Sequence, residues 1–267
     1  MNKVKISAFP IIILLGLIIS VSCESVPGEK DNKKLVLSEE FSDKALNPSL
    51  WQYSISNPDW RKGIHTIYTS AEENIYIKDG KLNISAIKNP DTRQWTSARI
   101  RTKPELGWKY GRIEVSAQIP AQQGTRAYIS LLPTEKTELW PACGEIILLS
   151  GTYKENRTIA EAGIENKIYN SLLGTEKKAG YDITQNKTKD GFHIFAVDWS
   201  PNEIKFYADD KLILSYKKEE DSSALWPYDK KYGIAIELMI TNPEIEPQEN
   251  PTLSIDYIRI YQASQNQ

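Results

Sequence analysis

The sequence predicts an antiparallel β sandwich, on three observations. Apolar and polar residues alternate in "GRIEVSAQI" (111–119), "FHIFAVDWS" (192–200), "EIKFYADDKLILSY" (203–216) and "TLSIDYIRIYQ" (252–262), the period of a strand with one buried face. Turn signals join such runs into hairpins: Asp79-Gly80 sits inside "ENIYIKDGKLNISAI" (73–87), and Asp209-Asp210 inside the third run. No stretch of 12 residues or more holds a helical period, which removes mixed and helical classes. A sandwich of this size has curved sheets, and a concave sheet face can take an extended ligand.

Taken in order, the chain opens with Lys3 and Lys5, an apolar run from Ala8 to Ile19 broken by Pro10 and Gly16, and small residues before Cys23. So short a run with a basic flank reads as an export signal over 1–22 rather than a membrane span. "ESVPGEKDNKK" is polar and aperiodic, so 23–34 is expected to be a flexible tether. Residues 35–262 then form the globular part, with 263–267 a frayed tail. Neither a linker nor a repeat divides it, so one domain is expected. The formal net charge is -2 with no basic clustering, which excludes nucleic acid as the natural partner. Cys143, in the apolar stretch "WPACGEIILLS" (140–150), reads as core.

"LSEEF" (37–41), "NPSLW" (47–51), "ENIYIKDGKLNISA" (73–86), "TSARIRTK" (96–103), "YGRIEVSAQIP" (110–120), "WPACGEI" (140–146), "FHIFAVDWSPNEIKFYADDK" (192–211), "WPYDKKY" (226–232) and "SIDYIRIYQ" (254–262) occur in that order. Together they resemble glycoside hydrolase family 16, and within it the laminarinase branch of endo-acting β-1,3-glucanases. The resemblance implies a single-domain all-β jelly roll of two curved antiparallel sheets, concanavalin-like, with a glycan cleft on the concave sheet. It also implies a retaining hydrolysis by two carboxyl groups roughly 5 Å apart, one nucleophile and one acid/base. "SVSC" at 20–23 resembles a bacterial lipoprotein box, which implies a lipid on Cys23 and an exported, membrane-anchored protein. An ordinary signal peptide with an incidental cysteine is the alternative.

Family 16 laminarinases read W-P-A-C-G-E-I-D-I-M-E where this chain reads "WPACGEIILLS". Glu145 keeps the nucleophile position, Ile147 replaces the supporting Asp, and Ser150 replaces the acid/base Glu. In a regular strand residues 145 and 147 share a face and 150 lies on the other, so the family pattern needs a bulge to bring its last Glu into the cleft. A serine there cannot act as the general acid, whose assistance is worth typically ~10²- to 10⁴-fold. Other cleft motifs differ too: Arg126 and Ser130 stand at Trp positions, "IAEAGI" (159–164) lacks both histidines of the pattern, and Glu237 stands at an Asn position. Glu161 and Glu237 are therefore candidates for a relocated acid.

Glycans stack their apolar faces on aromatic rings and hydrogen-bond through their hydroxyls, and seven Trp and fourteen Tyr can supply such a platform. Trp140, Tyr128 and Arg126 are the candidate contacts near the Glu145 strand, and Trp60, Arg61 and His65 those of a loop shaping the site. Trp51, Trp199 and Trp226 fit the core instead. The resemblance also points to Asp256, in the last strand, as a ligand of a structural calcium, although no acidic cluster accompanies it. Three readings follow: a catalytically silent, lipid-anchored binder of a β-glucan-type polysaccharide, a monomer serving a glycan-uptake system; an active glycosidase with a relocated acid; or an interaction module whose cleft is filled by Arg126, Ile147 and Met239.

Overall fold

Two large antiparallel sheets carry the alternating runs. The computed structural model describes residues 33–56, 63–135, 139–165, 176–185, 191–219 and 225–263. One sheet holds β4 (Ile75–Lys78), β5 (Lys81–Ser85), β9 (Gly111–Gln118), β14 (His193–Trp199), β15 (Glu203–Ala208), β16 (Lys211–Lys217) and β18 (Thr252–Ala263). Their order is β16-β15-β14-β9-β18-β5-β4, and β1 (Lys33–Glu39) adds an eighth strand against β18.

The other sheet holds β2 (Trp51–Tyr53), β8 (Arg99–Thr102), β10 (Thr125–Pro133), β11 (Glu145–Lys154), β12 (Arg157–Glu165), β13 (Glu176–Asp182) and β17 (Tyr232–Ile240), in the order β13-β12-β11-β10-β17-β8-β2. A small third sheet joins β3 (Ile67–Tyr68), β7 (Trp95–Ser97) and β6 (Ile87–Lys88). The only helical element among the described residues is a 3-10 turn at Ile183–Gln185.

Asp79 and Gly80 turn β4 into β5, and Asp209 and Asp210 turn β15 into β16, all with positive φ, as the hairpin signals predict. The globular part begins earlier than the sequence suggests. Lys33 pairs with Ala263, so Lys33 and Lys34 belong to a strand rather than to the tether, and Ala263 to a strand rather than to the tail.

The core lies between the two large sheets. Ile113, Val115, Phe195, Val197, Phe206 and Ile258 face it from one side, and Ile129, Leu131, Ile146, Ile164, Ile236 and Leu238 from the other, all buried. Each fully buried aliphatic side chain contributes about 1.5–3 kcal/mol. Trp51, Trp199 and Trp226 are buried with them, as expected of scaffold residues, and so is Cys143. Alternation then fixes what the seven-stranded sheet presents on its outer face: residues 99 and 101 of β8, 126, 128 and 130 of β10, 159 to 165 of β12 by odd number, and 235, 237 and 239 of β17.

Candidate functional site

The chain enters β11 through Gly144, whose φ is +79° and where a Cβ would stand 2.6 Å from Pro227 and 2.8 Å from the Tyr232 hydroxyl. Only glycine fits this turn, and it aims Glu145 onto the outer face. Along β11 the pairing with β10 runs Ser130 to Ile147 and then Ile129 to Leu149, leaving Leu148 as an extra residue. The pairing with β12 skips likewise, from Ile147–Gly163 to Ser150–Glu161. Leu148 and Leu149 both pack into the core, so Ser150 returns to the face of Glu145 and Ile147. A bulge at this place is what the family resemblance leads one to expect, and here it presents a hydroxyl.

Glu145 is 3% exposed, and the Trp140 indole Nε1 donates a hydrogen bond of 2.8 Å to its Oε2. Trp140 itself remains 43% exposed at the rim, so the residue expected to stack on a ligand also anchors the nucleophile-position carboxylate. Directly across from Glu145 on β12 stands Glu165, whose carboxylate lies 3.8 Å from the Lys178 ammonium. Behind them, burial foremost, and then the neighbouring Tyr232, Tyr216, Glu145 and Glu165, raise the Tyr228 hydroxyl pKa well above that of a free tyrosine.

Glu161 and Glu237 occupy different environments. Glu161 pairs with Ser150, beside the acid/base position, and lies four residues from the partner of Glu145, about 13 Å along the strand. Glu237 is 2% exposed, accepts a hydrogen bond of 2.6 Å from the Tyr68 hydroxyl and stands 3.7 Å from Arg99 Nε. Its carboxylate is thus committed to a buried contact two strands from β11. One cross-sheet row therefore reads Arg99, Glu237, Tyr128, Ser150, Glu161.

The middle of this face is covered. Ile147 and Met239 are fully buried in a small cluster with Tyr128, Ile64 and Tyr68. The segment carrying Ile64 and Tyr68 is held to the end of β17, with the His65 amide donating to the Ile240 carbonyl and the Ile240 amide to Thr66 Oγ1. Tyr128, expected to stack on a ligand, is 3% exposed inside this cluster, which corrects that expectation: its ring is spent on packing. Arg126 lies on the outer face, partly exposed, and His65 is exposed on the covering segment. Trp60, Arg61 and Cys23 lie outside the described residues.

Asp256 sits at a register shift of β18, with its carboxylate 3.8 Å from Lys81. Among the described residues no three His, Cys, Asp or Glu side chains gather to hold a metal. An ammonium beside a lone aspartate does not fit a calcium site, which calls for six or more oxygens. Alternation could have revealed Glu165, two residues beyond Gly163 on the face of Glu161. The Tyr68–Glu237 contact joins residues 169 apart and had no local signal.

The family model for glycosyl hydrolases family 16 matches residues 63–259. A β-glucanase from Rhodothermus marinus is 30% identical over 96% of this chain and 93% of its own length. The crystal structure of a laminarinase from Flavobacterium sp. UMI-01 superposes with a TM-score of 0.76 at 29% identity, covering 86% of this chain and all of that one. A β-1,3-glucan-binding protein from Penaeus monodon is 29% identical over 50% of this chain and 37% of its own length. With a family model matched over residues 63–259, a relative 30% identical along nearly the whole chain and a two-sheet jelly roll that superposes on a laminarinase, the chain belongs to glycosyl hydrolases family 16.

Proposed function

We propose that this chain is a lipid-anchored family 16 domain that binds a β-glucan-type polysaccharide without hydrolysing it through the family's carboxylate pair. The observation that carries this reading is the bulge of β11, which brings Ser150 rather than a carboxylic acid to the acid/base position. Glu145 is left with an indole partner and an isoleucine beside it, and a retaining mechanism needs a second carboxyl roughly 5 Å away to protonate the leaving oxygen. Exposed Trp140 offers a stacking face at the rim. The similarity to a protein named for binding β-1,3-glucan supports the same direction. The anchor rests on the lipoprotein-like sequence ending at Cys23.

A second reading has its own support: Glu161, across from Ser150, stands one strand over from the missing acid and is the better placed of the two relocated-acid candidates. Binding and reducing-end release, measured on the same samples with laminarin, separate the readings. Binding without sustained release supports the silent binder. Release that disappears in both Glu145→Gln and Glu161→Gln establishes the relocated acid. Failure to bind any β-linked glycan supports an interaction module, the reading favoured by the full burial of Ile147 and Met239.

A further inference from the structure

The outer face of the seven-stranded sheet carries more cationic than carboxylate groups free to act on a ligand. Arg99 and Arg101 project from β8 on this face, two residues and about 7 Å apart, and Arg126 projects from β10. Arg99 is matched by Glu237. Neither Arg101 nor Arg126 makes a hydrogen bond or ion pair among the described residues, and the buried Arg126 Nε has no acceptor. Both are partly buried, where a guanidinium with no acceptor is costly. Burial, and then the charge of Arg99, lower the pKa of Arg101, as expected of a cation lacking a counter-ion.

The carboxylates of this face do not answer them. Glu237 is held by Tyr68 and Arg99, Glu145 by Trp140, and Glu165 by Lys178. Glu161 stands two strands and two residues from Arg126, about 12 Å by strand geometry. Arg101 pairs with Ala235 and Arg126 with Met239, four residues along β17 and on its opposite sides. Their Cα atoms are therefore about 16 Å apart with the covered Glu237 between them, so each would receive a different charged group of a polymer rather than share a single sugar.

Resting on the glycan-binding reading above and replacing its neutral β-glucan by a charged polymer, we infer that the ligand is an anionic polysaccharide, whose carboxylate or sulfate groups are received by Arg101 and Arg126 on the outer face of the seven-stranded sheet. A planar guanidinium meets either oxyanion with two parallel N–H donors, and a partly desolvated site strengthens the contact.

Affinity electrophoresis of the purified protein tests this with neutral laminarin, the polyuronate alginate and the sulfated galactan carrageenan. At about 0.01 M salt an anionic polysaccharide should bind at least ~10-fold more tightly than laminarin, with most of the preference lost at about 1 M, where charges are screened within ~3 Å. Which of the two anionic polymers binds identifies the oxyanion. Arg101→Gln and Arg126→Gln should each weaken that binding about 10-fold, the usual effect of losing a charge-assisted contact. Arg93→Gln, at an exposed site paired with Glu246, should not. Should a glutamine variant not fold, the salt response of the unaltered protein still decides. Laminarin binding as tight as either anionic polymer and indifferent to salt overturns the anionic ligand while leaving glycan binding intact. Binding to none of the three overturns both.

Discussion

The two faces of the seven-stranded sheet differ in what holds their residues in place. On the inner face, Ile129, Ile146, Ile164 and Ile236 pack against the opposite sheet, and any change of volume there is felt throughout a close-packed core. On the outer face, Ile147 and Glu237 pack against the covering segment instead, Trp140 holds Glu145, and Arg126 is partly exposed. The same strand β11 shows both regimes: Leu148 and Leu149 pack the bulge into the core, while Ser150 is presented on the outer face.

This contrast can be sharpened by substitutions on each face. Ile129→Ala, at a fully buried inner position, should destabilise the fold by about 2–5 kcal/mol, read by denaturant unfolding. A loss under about 1 kcal/mol would mean that the inner face is not the tightly packed partner assumed here. Tyr68→Phe, on the segment covering the outer face, removes the 2.6 Å hydrogen bond to Glu237 and should cost about 1–2 kcal/mol. If the cover also restricts ligand access, the same variant should bind polysaccharide at least as well as the unaltered protein. Weaker binding would make Tyr68 part of the binding surface.

The inner face was readable from the sequence because period-2 alternation and hairpin turns are local: Asp79-Gly80 and Asp209-Asp210 each announce a turn that forms where expected. The bulge was inferred from the family spacing and not from alternation, which alone would have turned Ser150 inward. Glu145, Ser150 and Arg126 lie together on the outer face. The state of Tyr128 was missed because its burial depends on Tyr68 and Ile64, sixty or more residues earlier, and no local pattern encodes that a distant segment will lie over the sheet. Arg101 was overlooked for a related reason: a surface arginine is unremarkable until the register shows that no carboxylate stands near it.

The central claim is that the bulged strand β11 still frames a site from which the acid and its supporting carboxylate are missing. It is tested most directly by measuring reducing-end release from laminarin by the unaltered protein beside the double variant Ile147→Asp, Ser150→Glu. The account predicts background release from the former and a gain of at least ~10²-fold in the latter, since the bulge already sets residue 150 on the same face as Glu145. Sustained release by the unaltered protein that vanishes in Glu145→Gln, or a folded double variant that stays at background, would contradict it.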